Sequence, residues 1–502
     1  MPDFKNLAFR FYLENFYPPN FSAALSLKEQ EHNFHHLLSE LKDTALGKDM
    51  RLSNISSYNE FSALPVTQYD FYEPYIERIK QGEQNVMTPD KVRWFGKTAG
   101  TTSGKSKLIP ITQAVIDGHL RGTFYGLSRL HSFDESIDIL SHKNFAMAGG
   151  IYETLQPSGI VVGDISAILM RNVPVPFRTI YVPDNALMTH SSWEYKLERI
   201  PGIVKNADVG ALVGVPTWHL AVLSKIHEET HFNSLKGLWK NLRLFLHGGV
   251  NFEPYRQHFK ELCGREDFIF YENYNATEGF FGAQANPEGG DLALLTDTGV
   301  FYEFIRFADF GKENAKALTL QDVETGVPYV LLITTLNGLL RYMIGDVITF
   351  TCLEPFSFRI TGRTQEYINA FGEDLLLANV MNALMHTNEK WNVQVREYTV
   401  APLYIHLEEK GRMQFVIEFE KPPADLAQYT TELDQQLQHE NSNYAQKRNH
   451  SLALSTLEVI AAPPGTFYKW MESRGKLGGQ NKVPRLVNGR KVMDELLQIM
   501  KQ

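Results

Sequence analysis

Cysteine is nearly missing: Cys263 and Cys352 are the only two in 502 residues. That excludes a disulfide framework and a thiolate zinc site, and it points to a reducing compartment. No run approaches the ~20 apolar residues of a transmembrane helix. The nearest, Tyr329 to Leu340, is broken by Thr334, Thr335 and Asn337. The N-terminus has charges and prolines where a signal peptide needs an apolar stretch. A soluble, cytoplasmic protein is the expectation. Positive charge is not in excess either: 49 basic against 58 acidic side chains give a net charge of −9. That balance argues against a protein that coats nucleic acid or binds an anionic membrane. Internal repeats and low-complexity linkers are also missing.

What is there is ordinary globular composition, 43% hydrophobic and 21% charged, in a chain long enough for two or three cores. At this size an enzyme is the leading class. Residues 1–60 read as helical, with apolar periodicity over Ala23 to Leu46. A helix is expected from about Gln113 to Arg129. Phe145–Ala148, Leu242–Leu246 and Phe268–Tyr271 read as strands and Gly210–Glu229 as a helix, which suggests an α/β domain with a largely parallel sheet. From Leu292 to Ile360 the pattern is strand-rich, with turns at Thr298-Gly299 and Asn337-Gly338. Past Thr361–Arg363, strands at Glu397–Leu407, Met413–Phe419 and Thr456–Ile460 and a helix over Ala424–Asn443 suit a separate α+β domain.

Two motifs are decoys. His227-Glu228-Glu229-Thr230-His231 spells HExxH, a zinc signature when it lies within a helix. Here Phe232-Asn233-Ser234 follows and signals a helix end, so a solvated terminus is the better reading. Ala99 to Ser106 approaches a Walker A pattern, but that motif needs a buried strand before it and a helix starting at its lysine. Lys91–Lys97 makes a poor buried strand, and Lys107-Leu108-Ile109-Pro110 reads as a strand. The phosphate inference survives the loss of the P-loop assignment. Glycines and hydroxyls free successive backbone N–H groups for an anion. Val92 to Lys107 also carries Arg93, Lys97, Lys105 and Lys107 with no acidic residue.

Three further segments suit a nucleotide. His247-Gly248-Gly249-Val250 follows a strand, and its glycines would let a flat ring approach the backbone. Tyr274-Asn275-Ala276-Thr277-Glu278-Gly279 places a carboxylate beside a hydroxyl near a strand end, which suits magnesium shared with phosphate oxygens. Asp346, in Arg341-Tyr342-Met343-Ile344-Gly345-Asp346, is placed to accept from ribose hydroxyls. Finally, Gly465–Lys491 holds seven basic residues against Glu472 alone. Taken alone, that is a solvated loop and helix face.

The order TAGTTSGKSK (98–107), HGGV (247–250), YNATEG (274–279), LLRYMIGD (339–346) and ITGRTQEYINAFGEDL (360–375) resembles the successive motifs of the luciferase-like adenylate-forming superfamily. GLLRYMIGDV and YKWMESRGKLGGQNKVPR (468–485) make the chain similar to the Gretchen Hagen family, the auxin-responsive acyl acid amido synthetases, and a bacterial-type member is the expectation. The resemblance covers essentially the whole chain. It implies a luciferase-like α/β fold, with an adenylation domain over residues 1–361 and a mobile C-terminal α+β domain over 362–502. It further implies ATP and Mg²⁺ as cofactors, and a small carboxylic acid and an amino acid as substrates. No nucleic acid, membrane or stable protein partner is implied.

By the same resemblance Thr98, Ala99, Gly100, Thr101, Thr102 and Ser103 would hold the ATP phosphates. Gly248, Gly249 and Val250 would flank the adenine, with Tyr274, Asn275 and Ala276 beside it. Thr277 would contact the α-phosphate and Glu278 would bind magnesium. Asp346 would take the ribose hydroxyls, helped by Arg363. Lys482 would enter the site during acyl activation, which reverses the plain reading of the basic tail. Ala99 stands where the family usually has a hydroxyl residue, and Gln365 replaces the Asp found at the hinge of many superfamily members. For the acid pocket, position suggests Leu120, Phe124, Tyr125, Val215, Thr217 and Phe281, although aromatic stripes are often simply core. Arg121 is left between the substrate carboxylate and solvent. The implied reaction is acid activation as an acyl-adenylate followed by transfer to an amine. A thiol acceptor such as coenzyme A, or a silent nucleotide-binding relative, are the alternatives.

Overall fold

The computed structural model describes residues 4–19, 22–98, 107–250, 252–312, 315–364, 367–373, 375–405, 410–448, 454–474 and 483–501. The strands up to the hinge region, in chain order, are β1 (Trp94–Thr98), β2 (Lys107–Ile111), β3 (Lys143–Ala146), β4 (Ile151–Thr154), β5 (Val161–Gly163), β6 (Tyr181–Val182), β7 (Val209–Gly214) and β8 (Leu244–His247). They continue as β9 (Ile269–Ala276), β10 (Gly279–Gln284), β11 (Leu292–Leu294), β12 (Val300–Arg306), β13 (Ala317–Leu318), β14 (Pro328–Thr335), β15 (Tyr342–Leu353) and β16 (Phe356–Arg363).

Twelve of these form one sheet in the order β13-β12-β14-β15-β16-β11-β10-β9-β8-β7-β3-β6. From β6 to β9 every pairing is parallel. From β9 through β10, β11 and β16 to β13 every pairing is antiparallel. The sheet therefore changes character at β9, the strand that leads into Thr277 and Glu278. A second sheet, β2-β1-β5-β4, carries the two ends of the glycine- and hydroxyl-rich segment 98–107.

Beyond Arg363, strands Gln394–Leu403, Arg412–Lys421 and Glu458–Ala462 form a separate sheet, with helices Leu377–Trp391 and Leu426–Glu440. One apolar core joins the parallel half (Phe145, Leu212, Phe245) to this part of the chain (Val400, Phe415, Ile417). A second lies under the antiparallel half (Tyr274, Phe281, Tyr302, Phe358). Each fully buried side chain of this size contributes about 1.5–3 kcal/mol, so both halves hold themselves together without disulfide or metal.

Most local expectations hold. Helix Gln113–Phe133 starts at Thr112, whose hydroxyl accepts from the Val115 N–H. Two do not. Val209–Gly214 is strand β7, and the helix begins only at Pro216, which pre-sets the first helical position. Parallel neighbours β3 and β8 on both sides claim that apolar run for the sheet. Trp94–Thr98 is likewise a strand, despite its charges, because β2 pairs with it antiparallel and Phe95 is buried. That hairpin rules out a P-loop, since Lys107 opens a strand. The HExxH helix ends at Thr230 with His231 in the left-handed C-cap conformation. No membrane-length apolar helix and no cluster of three or more metal-ligating side chains occurs among the described residues.

Candidate active site

Thr277 and Glu278 form the two-residue turn between β9 and β10. The strand thus runs on through Tyr274–Ala276, beyond the end at Tyr271 expected from the sequence. Both turn residues are buried, at 6% exposure. Gly96 of β1 lies against this turn so closely that a Cβ there would fall 2.3 Å from Thr277 Cγ2. A side chain at position 96 would displace the Thr277 methyl. Ala99–Ser103 lie outside the described residues, as do Gln365 and Lys482.

Burial raises the Glu278 carboxyl above its ordinary 4.5, and the nearby Lys107 ammonium only partly offsets this. Lys107 Nζ donates to the Tyr342 hydroxyl at 3.1 Å and sits over the Tyr69 and Tyr342 rings. Tyr342, at a strand start, and Tyr69, at a helix start, were not singled out from the sequence, because a buried tyrosine at the end of an element carries no local mark of function.

Three of the residues expected to hold the nucleotide lie together. Cα register pairs Asp346 of β15 with Arg363 of β16, and Arg363 Nε lies 3.2 Å from the Asp346 carboxylate. The buried Tyr274 hydroxyl donates to the other oxygen of Asp346. Burial first, and Asp346 second, hold the Tyr274 phenol well above its usual value, so it stays a donor. Past the end of β8, Gly248 and Gly249 run alongside β9. A Cβ on Gly248 would lie 2.5 Å from the Asn273 carbonyl oxygen. Val250 is a buried member of the larger core, while Asn275 and Ala276 are half-buried.

The acid-pocket set divides. Leu120 packs with the cluster containing Tyr274 and Phe281, and Val215 lies 3.3 Å from a Cβ position on Gly249. Thr217 is fully buried, and its hydroxyl has no partner among the described residues. Phe124 and Tyr125 are engaged elsewhere. Phe124 packs edge-on against Phe9 and Tyr12 of the N-terminal helix. The Tyr125 hydroxyl donates to Asp297 at 2.7 Å. Phe281 is likewise core, 0% exposed and 5.1 Å from the Tyr274 ring. The N-terminal helix covers this aromatic stripe, a long-range contact invisible to periodicity. Arg121 pairs with Asp297 at 2.8 Å.

Comparison with known proteins bears on the family and the fold. The model of the GH3 family N-terminal domain matches residues 26–215 and 162–268, that of the central domain 293–363 and that of the C-terminal domain 378–491. Indole-3-acetic acid-amido synthetase GH3.3 of Arabidopsis thaliana is 28% identical over 245 residues, covering 44% of this chain and 40% of that protein. Indole-3-acetic acid-amido synthetase GH3.8 of Oryza sativa subsp. indica is 22% identical, covering 84% of this chain and 82% of that one. The chain thus spans less than half of the first relative and most of the second. Among solved structures, the acyl acid amido synthetase AtGH3.15 in complex with 2,4-DB superposes with a TM-score of 0.60 at 17% identity, over 99% of this chain and 97% of that one. A 2-hydroxyisobutyryl-CoA ligase with 2-HIB-AMP and CoA gives 0.54 at 13% identity, over 100% and 93%. These two likenesses establish the adenylate-forming fold, and the three domain models together span most of the sequence: the chain belongs to the GH3 family.

Proposed function

We propose that this protein is an ATP-dependent ligase that activates a small carboxylic acid as its acyl-adenylate and transfers the acyl group to an amino acid. The observation that carries the reading is the convergence of Tyr274, Asp346 and Arg363 beside the buried Glu278. These residues come from three separate motifs and meet where the sheet changes from parallel to antiparallel.

In the first half-reaction a carboxylate oxygen bonds to the α-phosphorus as the bond to the β-phosphate oxygen breaks, and pyrophosphate leaves. Anions must be brought together, so positioning and charge neutralisation do most of the work. Thr98 to Ser103 would cradle the phosphates, Thr277 would meet the α-phosphate, and Asp346 with Arg363 would seat the ribose. Glu278 fits a Mg²⁺ ion: it is a buried carboxylate of raised pKa, beside a hydroxyl. One carboxylate with phosphate oxygens and water is a common Mg²⁺ set, and the ion supplies charge neutralisation. Lys482 would add positive charge during acid activation. In the second half-reaction an amine nitrogen bonds to the acyl carbon, the bond to the AMP oxygen breaks, and a proton is released with AMP. We place the domain boundary at 361/362 and the hinge near Gly362–Arg363, so that closure excludes water between steps. Free Cys263 and Cys352 support a cytoplasmic setting.

The test is carboxylate-dependent ATP–pyrophosphate exchange across aryl, indole and aliphatic acids without an amine. Exchange with one acid class establishes adenylation, and a comparison of amino acids with thiols as acceptors then decides the second step. A protein that binds ATP and exchanges with none of these acids would be a silent nucleotide binder.

A further inference from the structure

Tyr69 and Tyr72, on helix Tyr69–Lys80, lie beside Tyr342 at the start of β15, and the three hydroxyls are engaged differently. Tyr72 is fully buried, and its hydroxyl is taken up by neighbouring groups of the scaffold. It lies 2.7 Å from the Thr67 hydroxyl, donates to the Leu340 carbonyl (3.0 Å) and accepts from the Leu340 N–H (2.8 Å). Tyr69 accepts from the Leu108 N–H at 2.8 Å, which fixes the backbone next to Lys107. Tyr342 holds the lysine itself. Its hydroxyl accepts from Lys107 Nζ at 3.1 Å, and its ring lies 5.7 Å from that ammonium. The Tyr69 ring is 5.9 Å from the same ammonium. Among the described residues the Tyr342 hydroxyl makes no other hydrogen bond.

Tyr342 is a rigid partner. Thr67 pairs with it as an isolated parallel bridge, Ile333 of β14 faces it in register, and it is 1% exposed. A lysine stem has several rotatable bonds and loses much freedom when it is fixed. A rigid acceptor that fixes it beforehand removes that cost from ligand binding. The place matters too. Lys107 ends the segment 98–107 and lies near enough to the buried Glu278 to oppose the effect of burial on that carboxyl. Tyr342 stands beside the same carboxylate: burial first, and Glu278 second, hold its phenol well above the usual value.

We infer that Tyr342 is a positioning residue for phosphate binding: it aims the Lys107 ammonium at the turn Thr277-Glu278, where the triphosphate of ATP would lie. Being buried, it acts through the lysine and does not meet the ligand itself. The inference rests on the ligase reading above. A point charge on a flexible stem serves a phosphate only where it is aimed, and tyrosine aims it without neutralising it. A carboxylate partner would cancel the charge that the phosphates need.

The test is a double-mutant cycle on equilibrium binding of ATP with Mg²⁺, read by calorimetry, with adenosine as the phosphate-free control. Lys107→Met should weaken ATP about 10–100-fold, the usual loss for a charge-assisted contact. Tyr342→Phe keeps the ring and removes only the acceptor, so it should weaken ATP about three- to ten-fold. In the Lys107→Met background the same change should weaken it less than about two-fold. Adenosine should bind all four proteins alike. An equal loss from Tyr342→Phe in both backgrounds, or no loss beside Lys107, overturns the inference. So does a loss for adenosine as large as that for ATP. A Tyr342→Phe protein that does not fold makes the hydroxyl part of the scaffold and overturns it as well. Exchange of ATP with pyrophosphate separates this inference from the ligase reading. Exchange in wild type with no coupling between positions 107 and 342 sinks only the positioning role. Coupling in a protein that exchanges with no acid keeps the positioning role and removes the ligase. A wild type that binds no ATP sinks both.

Discussion

Two arginine–carboxylate pairs, one buried and one part-exposed, involve residues five apart, Arg341 and Asp346, at the start of β15, and they are built differently. Arg341 is 3% exposed and Glu303 is 0% exposed. The Arg341 guanidinium reaches both Glu303 oxygens at 3.0–3.1 Å and donates to the Ser62 and Leu64 carbonyls. The Tyr58 hydroxyl donates to the same carboxylate at 3.1 Å. Arg341 even adopts a positive φ of 46° to reach them. The second pair, Asp346 with Arg363, has a single close contact at 3.2 Å, and the Arg363 side chain is 30% exposed. The first pair is saturated and closed, so it can serve only as scaffold. The second is partnered too, Asp346 accepting from Tyr274 and Arg363 donating to the Ile344 carbonyl, but its guanidinium side is partly open to solvent.

That contrast can be broken. Arg341→Met should cost about 3–5 kcal/mol, because it leaves the Glu303 carboxylate buried without its counter-charge. Thermal unfolding measures it, and an unchanged midpoint would mean the closed pair is not scaffold. Next, Glu278→Gln should lower acid-dependent exchange about 10²–10³-fold, the usual loss for a charge-stabilising group. The same change should stabilise the free protein at neutral pH. Burial raises the Glu278 pKa, so its stability contribution is full below about 4.5 and is lost as pH rises through the folded value. The midpoint difference should therefore grow from pH 4 to pH 8, and a flat difference would refute the burial account. Asp346→Asn comes third: kcat/KM for ATP should fall about 10–100-fold with stability nearly unchanged, since an amide oxygen still accepts from Tyr274. A stability loss as large as that of Arg341→Met would erase the distinction between the pairs. Smallest, Phe124→Leu should cost under about 1.5 kcal/mol and leave the preference among acids unaltered. A shift in acid preference would return Phe124 to the substrate pocket.

The sequence by itself determined the motif order, the helix start at Thr112 and the turn at Asn337-Gly338. Each of these is written in a few adjacent residues, as caps, turns and short strands are, so local chemistry suffices. Only the tertiary structure decided that Val209–Gly214 is a central strand, since an apolar run of that length becomes whatever its neighbours pair with. It also decided that Phe124 and Tyr125 face the N-terminal helix, while Leu120, from the same helix, joins the cluster around Tyr274. Two buried lysines had no mark in the sequence at all. Lys196 and Lys447 lie 251 positions apart, each on a helix where a lysine ordinarily faces water. Folding buries them against the same tryptophan.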